Sequence, residues 1–153
     1  MLFRVFRKLL SGRFPNSNSV SRQELNQFFD ICRPVSPESG LIRLGAPNDG
    51  GYLVPNDLEG LVACFSPGVG DTVDFELSML ERGIPCHLLD GSILNNPLKH
   101  ANVTFESKFL NCYDDEFNIS LKSWIAKNVQ QQGDSILQMD IEGAEYPVLL
   151  SMP

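Results

Sequence analysis

Residues 61–83 read LVACFSPGVGDTVDFELSMLERG, and this stretch decides the fold class. Residues 61–65 form a short, continuous apolar run, which is typical of a strand buried on both faces of a parallel sheet. Ser66–Gly70 is rich in turn residues, and residues 71–82 carry apolar side chains at helical spacing, with Gly83 placed to end the helix. The predicted inward face of this helix consists of Val73, Leu77, Leu80 and the following Ile84. The stretch therefore predicts a β-strand, a glycine-containing turn and an α-helix.

Further strands and helices follow along the chain. The predicted strands are residues 86–89, 102–110 and 135–139, and the predicted helices are residues 120–129 and 144–150. Strands that alternate with crossover helices form parallel sheets, and such sheets bind ligands at the carboxyl ends of their strands. The sequence therefore predicts an α/β fold that has a mostly parallel sheet with flanking helices and a site at the strand ends.

The chain before residue 60 has a different pattern. Residues 23–32 predict a helix, and Asn48–Gly51 between two apolar runs is a strong signal for a β-hairpin. Ser11–Ser21 is polar and rich in turn residues, which indicates a linker. We therefore predict a basic N-terminal segment with its linker (1–22), a helix and hairpin (23–59), and the α/β domain (60–153).

The loop Ser66–Gly70 is the first candidate binding element. Gly68 and Gly70 allow the backbone to approach a ligand closely. A dinucleotide fingerprint would have a third glycine at position 73, where this chain has valine. The acids that follow the loop would also repel a pyrophosphate, and they are Asp71, Asp74 and Glu76. The loop therefore favours a ligand with a neutral or cationic portion over NAD.

Asp90 is the second candidate, because it ends a predicted strand about twenty residues beyond the glycine loop. Nucleoside-binding sites of Rossmann-like folds place an acid there to accept hydrogen bonds from the ribose hydroxyls. The alternative is that Asp90 and Gly91 simply form a turn. We favour the ribose role because the loop and the acid occur together.

Three carboxylates lie close together directly after another predicted strand, and they are Asp140, Glu142 and Glu145. Like charges this close repel one another, so burying them without a partner would be costly. A cleft that holds a cationic group or takes up a proton would give the cluster a function. Acids at a helix N-terminus are the alternative for Glu142 and Glu145, and that explanation fits Asp140 less well.

Three stretches together resemble one protein family. Residues 138–145 (QMDIEGAE) are similar to the K-[IM]-D-[VI]-E-G-A-E signature of the FkbM-type methyltransferases. Residues 65–76 (FSPGVGDTVDFE) resemble the first motif in a subset of that family. Residues 43–54 (RLGAPNDGGYLV) resemble an R-x-G…D-G-G-Y stretch that precedes the domain in that subset. Residues 140–145 are the most specific part of the resemblance.

The resemblance implies a Rossmann-like class I methyltransferase fold whose cofactor is S-adenosylmethionine. That fold has more strands than the four that we count before Pro153, so we expect the chain to hold only the first part of the domain. The family mostly methylates hydroxyl oxygens of small molecules or sugars. The resemblance therefore implies an O-methyltransferase with such an acceptor, and leaves open whether this chain is active alone.

The same resemblance implies roles for individual residues. Gly68 and Gly70 would pass under the methionine part of the cofactor, and Asp90 would hold its ribose. Asp140 would lie beside the sulfonium or the acceptor. Asp140 or Glu142 would take up the proton of the acceptor hydroxyl, which is the task of a general base.

Two positions depart from the class I pattern. Ser66 stands where many members have an acid, and Thr72 stands where their loop has its third glycine. Besides Ser66 itself, Asp71 and Glu76 are therefore candidates for contacts to the amino acid part of the cofactor. Two alternatives stay open, namely an NAD- or nucleotide-sugar-dependent Rossmann enzyme and a non-catalytic module that keeps a nucleoside pocket.

The composition argues against several other functions. The chain has 153 residues and a net charge of −7, although residues 1–23 carry five basic side chains and no acid. The acidic body is a poor partner for nucleic acid. The four cysteines lack CxxC spacing and the two histidines stand far apart, which predicts no metal site. A chain of this length with no disulfide framework predicts a reducing, cytoplasmic location.

Residues 1–13 mix apolar and basic side chains. As a helix they would have an apolar face with basic flanks, which suits an anionic membrane surface. The alternative that we favour is a terminal helix that docks on the chain's own domain or is frayed in solvent. No run in the sequence approaches the ~20 apolar residues that span a bilayer.

Overall fold

The computed structural model describes residues 21–129 and 131–152, and for Glu24 and Phe28 only the backbone. The predictions for the basic segment, for residues 1–13 and for nearly all of the linker lie outside these residues. The chain divides into two compact units, with the boundary after Ser36. In the first unit, helix α1 (Arg22–Ile31) confirms the helix predicted there.

The second unit contains the remaining helices and strands. In chain order they are β1 (Leu41–Gly45), β2 (Gly51–Pro55), β3 (Leu61–Pro67), α2 (Asp74–Leu80), β4 (Cys86–Leu89), β5 (Val103–Glu106), β6 (Phe109–Asn111), β7 (Asn118–Ser120), α3 (Leu121–Asn128), β8 (Asp134–Leu137) and α4 (Glu145–Leu150). Four of the strands form one sheet in the order β5-β4-β3-β8, and every pair in it is parallel. The predicted α/β fold with a parallel sheet and flanking helices is therefore confirmed.

The two central strands of this sheet are covered on both faces. All four residues of β4 and residues 63–67 of β3 are buried. Cys64 pairs with Cys86 across these strands, and both pack in a core cluster with α2 and the β1–β2 hairpin. Ala63 and Phe65, on the opposite face, pack in a second cluster around Trp124 of α3. This arrangement explains the unbroken apolar runs, since neither face of these strands meets solvent.

Helix α2 begins later than the sequence predicted, and one of the four positions predicted to face inward is exposed. Its first residue is Asp74, and the buried residues of the helix are Phe75, Glu76 and Met79. Leu77, which we expected to face inward, is 42% exposed. The prediction for Leu77 was wrong because the carboxyl group of Glu76 lies on the buried side of the helix and disguises its apolar stripe. The other predicted positions are confirmed, since Val73 and Leu80 pack against the core and Ile84 is buried. Gly83 has a φ of 75° and ends the helix as predicted.

The single strand predicted over residues 102–110 is two strands. β5 continues the main sheet, and β6 pairs instead with β7 in a separate two-stranded parallel sheet. β7 was not predicted, because its three residues contain only one apolar side chain, Ile119. The six residues between β6 and β7 are held by side chains. Asp114 accepts hydrogen bonds from Ser120, and Asp115 accepts them from Asn118.

The predicted hairpin is confirmed, with β1 and β2 antiparallel. The guanidinium of Arg43 donates hydrogen bonds to the carbonyls of Ala46 and Asn48 and so fixes the turn. The turn packs against Thr72, just after the glycine loop. The approach is so close that a side chain at Gly50 would overlap the methyl group of Thr72. The hairpin therefore lies beside the ends of the parallel strands.

Within the described residues, no helix has the length and the apolar character that a membrane crossing would need.

The two sides of α2 can be compared directly by mutation. Met79→Ala should lower the free energy of unfolding by about 2–5 kcal/mol, because Met79 is fully buried and its truncation leaves a cavity. Leu77→Ala, the matched control on the exposed side, should cost about 1 kcal/mol or less. Urea unfolding followed by the fluorescence of Trp124 measures both values. Equal losses in the two variants would contradict the observed orientation of the helix.

Candidate functional site

The carboxyl ends of three neighbouring strands meet at the glycine loop. The N–H of Gly68, just beyond β3, donates a hydrogen bond to the carbonyl of Leu89, at the end of β4, over 2.8 Å. The N–H of Asp140, beyond β8, donates to the carbonyl of Pro67 over 3.4 Å. The structure thus brings together the loop, Asp90 and Asp140, which the sequence placed at three separate strand ends.

Gly68 is required by the geometry of this junction. Its φ is 78°, and a side chain at this position would overlap the carbonyl oxygen of Asp140. Gly70 also has a positive φ, 54°, but a side chain there would meet open space. Gly68 therefore sets the spacing between the ends of β3 and β8, whereas Gly70 leaves room above the loop.

Two cavities open on either side of this junction. The smaller, about 200 Å³, is called the acidic pocket here because four carboxylates line it. They belong to Asp49, Asp71, Glu76 and Asp140, and the described residues that line the pocket include no basic side chain. The larger cavity, about 560 Å³, is called the wide pocket, and its lining includes Asp90, Gly91, Phe109, Asn111, Asn118 and Glu142. Gly68 and Asp140 line both cavities.

Glu76 is the most unusual residue of the acidic pocket. Its side chain is only 2% exposed, and its Oε2 atom has no hydrogen-bond partner among the described residues. Its Oε1 atom is hydrogen-bonded to the hydroxyl of Ser66. Burial raises the pKa of Glu76, although the hydrogen bond from Ser66 opposes the change. The carboxyl group thus resists ionisation unless a donor reaches its second oxygen.

Ser66 joins Glu76 to the end of β8. Its hydroxyl lies 2.8 Å from Oε1 of Gln138 in addition to its contact with Glu76. A hydroxyl has one proton, so it can donate to only one of these oxygens. Either Glu76 is protonated and donates to Ser66, or the amide of Gln138 is turned so that its nitrogen donates. In both cases Ser66 brings a carboxyl group to the strand end where the class I pattern has an acid.

The carboxylate of Asp90 is already engaged within the protein. Its Oδ2 accepts the N–H of Gly70 over 2.9 Å, and its Oδ1 accepts the N–H and the hydroxyl of Ser92 over 2.8 and 2.6 Å. Burial acts to raise the pKa of Asp90, but these hydrogen bonds outweigh it and the net pKa is lowered. Asp90 is therefore ionised and has one acceptor position left, on Oδ2.

The three carboxylates of the 140–145 segment have different surroundings. Asp140 is exposed and stands between the two cavities. Glu142 lines the wide pocket. Its φ is 57°, a left-handed conformation that is costly for any residue other than glycine. Glu145 accepts the N–H of Ile141 over 2.9 Å, which lowers the pKa of Glu145. Glu145 therefore stabilises the turn before α4, as the structural alternative predicted.

Sequence reasoning missed several residues of the acidic pocket. Asp49 and Tyr52 enter it from the hairpin, and Gln138 enters it from the end of β8. The phenol of Tyr52 has a raised pKa, first because it is buried and next because the charges of Asp140 and Asp49 act on it. The Asp-Gly-Gly-Tyr signal was visible in the sequence, but only the fold shows that this turn faces the glycine loop.

The wide pocket also has residues that the sequence did not indicate. The ring of Phe109 lies against Gly91, where any side chain would overlap it, and is 52% exposed. The amide of Asn111 donates a hydrogen bond to Oδ1 of Asn118 over 3.1 Å. These residues belong to β6 and β7, so the strand that was missed carries part of the site.

Comparison with protein-family models, with curated proteins and with solved structures found no match to this chain. The described residues contain no group of three or more histidine, cysteine, aspartate or glutamate side chains placed to hold a metal ion.

The backbone strain at Glu142 can be tested by two substitutions. Glu142→Gly should give a more stable protein than Glu142→Ala, by about 1 kcal/mol, because glycine adopts a positive φ without steric cost. Both variants lose the carboxylate, so the difference isolates the backbone. Thermal unfolding measures it, and equal stability of the two variants would contradict the left-handed conformation.

The raised pKa of Glu76 should appear in the pH dependence of stability. Above pH 4.5, the ordinary value for a glutamate, the unfolded chain loses this proton while the folded chain keeps it. The free energy of unfolding should therefore fall as the pH rises from 4.5 through the folded pKa, and Glu76→Gln should remove this part of the slope. Urea unfolding at a series of pH values provides the measurement.

Glu81→Gln is the matched control, because it makes the same substitution at an exposed position just after α2. An identical slope in the wild type and in Glu76→Gln would show that Glu76 ionises normally in the folded state.

Proposed function

We propose that the chain belongs to the S-adenosylmethionine-dependent class I methyltransferases and that the two pockets together hold this cofactor. The observation that carries the proposal is the junction of Gly68 and Asp140 at the carboxyl ends of three parallel strands, because these two residues line both cavities. Crevices in that position are the usual ligand sites of open α/β sheets. A ligand with a nucleoside and a charged tail would extend across the junction.

The wide pocket suits the adenosine part of the cofactor. Asp90 at the end of β4 offers one free acceptor position to a ribose hydroxyl, and a second would become free if the ligand replaced Ser92. The half-exposed ring of Phe109 offers a flat apolar surface to a base. The neighbouring amides of Asn111 and Asn118 can hydrogen-bond to the edge of that base.

The acidic pocket suits the amino acid part. Gly68 and Gly70 have positive φ angles, which favour glycine, and glycine leaves no side chain in the path over the loop. The unpartnered Oε2 atom of Glu76 is a buried acceptor that an ammonium group would satisfy. Asp71 and Asp140 complete a negatively charged wall that would repel a pyrophosphate. These observations support S-adenosylmethionine over NAD or a nucleotide sugar.

The proposed reaction is the methylation of a hydroxyl oxygen on a small molecule or sugar, as the sequence resemblance implies. Bound in the site, S-adenosylmethionine supplies a methyl group that is already activated by its positively charged sulfur. The protein has only to align the acceptor and exclude water. Asp140 and Glu142 line the wide pocket, which supports the proposal that one of them accepts the hydroxyl proton, a step worth about 10²–10⁴-fold in rate.

Calorimetric titration with S-adenosylmethionine, S-adenosylhomocysteine and NAD tests the proposal. We expect the two adenosyl compounds to bind and NAD not to bind. Asp90→Ala should weaken binding about 100-fold or more, because it removes a charged acceptor for the ribose. Binding of NAD, or of none of the three to the folded protein, would overturn the proposal.

Ser92→Ala is the control for the structural role of Asp90. This substitution removes the hydroxyl contact to Oδ1 of Asp90 and frees one acceptor position there, while the backbone N–H of residue 92 and the carboxylate of Asp90 are kept. Binding should therefore be kept in Ser92→Ala. A loss of binding as large as that in Asp90→Ala would mean that Asp90 only holds the turn.

A further inference from the structure

We propose that the acidic pocket selects by charge, so that the site binds S-adenosylmethionine more tightly than S-adenosylhomocysteine, and that Asp49 contributes to this selection. The inference rests on the proposed function and adds that the product, S-adenosylhomocysteine, is released because it has lost the positive charge that the pocket attracts. The two compounds differ by one methyl group and by one positive charge on sulfur. Because their other groups are the same, charge is the property by which a wall of carboxylates can distinguish them.

The charges that line the acidic pocket are of one sign. Asp49, Asp71 and Asp140 line it, and the carboxyl group of Glu76, whose pKa is raised by burial, adds a further charge once a donor reaches it. The nearest cation of the hairpin, Arg43, donates its hydrogen bonds to backbone carbonyls in the turn and is not part of the lining. A ligand tail with a sulfonium, an ammonium and a carboxylate has a net positive charge and is attracted. The tail of S-adenosylhomocysteine is a zwitterion, whose two charges nearly cancel in the same field.

Glu76 provides independent evidence that this pocket receives a donor. The side chain is 2% exposed, it lines the pocket, and its Oε2 atom is buried without a partner among the described residues. A buried oxygen in this state is unfavourable unless a hydrogen-bond donor reaches it. A cationic N–H group satisfies the oxygen and stabilises the ionised carboxylate at the same time.

Asp49 extends the negative wall from outside the sheet. It belongs to the turn of the β1–β2 hairpin, and one of its carboxylate oxygens, Oδ1, accepts the N–H of Gly50 over 3.0 Å. Its charge reaches into the pocket, because Asp49 is one of the groups that raise the pKa of the Tyr52 phenol. The hairpin therefore contributes to ligand selection and does not merely cover the loop.

Calorimetric titration with three ligands tests the inference. The first two are S-adenosylmethionine and S-adenosylhomocysteine, and the third is sinefungin, in which a protonated amine replaces the sulfonium. At low salt, the two cationic ligands should bind about tenfold more tightly than the neutral thioether, which is the effect of a few exposed charge pairs combined. Added salt should reduce this ratio, because it screens exposed charges.

Asp49→Asn is the test variant, since its amide oxygen can still accept the N–H of Gly50. It should lower the affinity for both cationic ligands and leave that for S-adenosylhomocysteine nearly unchanged. Asp57→Asn is the matched control, because Asp57 is an exposed carboxylate that lines neither pocket, and it should change none of the three affinities.

The possible results separate this inference from the function on which it rests. If all three ligands bind with equal affinity, or the thioether binds most tightly, the charge selection is wrong while the cofactor site stands. If Asp49→Asn leaves the affinity ratio unchanged, Asp49 is not a selecting residue. If none of the adenosyl compounds binds to the folded protein, the proposed function fails and the inference fails with it.

Discussion

Gly68 places its α-carbon against the carbonyl of Asp140, and this contact sets how closely the end of β8 approaches the end of β3. The same residue donates its N–H to the carbonyl of Leu89, so a single glycine joins three neighbouring strands. No other residue type fits, since any side chain would overlap a backbone group that has no freedom to move. Both pockets depend on this contact, because Gly68 and Asp140 line each of them.

A second constraint is the burial of Glu76 in an otherwise apolar helix face. Phe75 and Met79 pack in the core beside it, which fixes the orientation of α2. The carboxyl group is held by Ser66, and Ser66 in turn contacts Gln138 at the end of β8. The carboxyl group of Glu76, which is costly to bury, is thereby linked to β3 through Ser66 and to the end of β8 through Gln138. Residues that break the usual apolar pattern of a buried helix face, as Glu76 does, are concentrated at functional sites.

The main sheet could be predicted from the sequence because its central strands are buried on both faces and read as unbroken apolar runs. The exposure of Leu77 on α2 could not be predicted, since Glu76 on the buried side of the helix carries the signal of a surface residue. β7 gave no signal either, because the hydrogen bonds of Asp114 and Asp115 hold it in place and its own apolar content is low. Local side-chain bonds of this kind do not alter hydrophobic periodicity.

The candidate site was predictable only in part, for a related reason. Asp90 and Asp140 end strands, so topology alone brings them together. Asp49 reaches the acidic pocket through packing of the hairpin turn on Thr72, a contact between segments distant in sequence. Phe109 reaches the wide pocket because the chain leaves the main sheet after β5 and forms β6, which pairs with β7 in a separate sheet. Such contacts depend on the three-dimensional path of the chain and have no local sequence signature.

The reactivity of the Cys64 and Cys86 thiols reports how often the core of the protein opens. Both thiols are fully buried at the centre of the sheet, and the neighbouring Cys86 thiol, together with burial, raises the pKa of the Cys64 thiol. Cys32 and Cys112, in contrast, are exposed. An alkylating reagent will therefore modify the exposed pair at once, and the buried pair only when the core under α2 and the hairpin opens, since the thiolate is the reactive form. The rate of that slow modification measures the free energy of opening at the centre of the fold, with no substitution or added label.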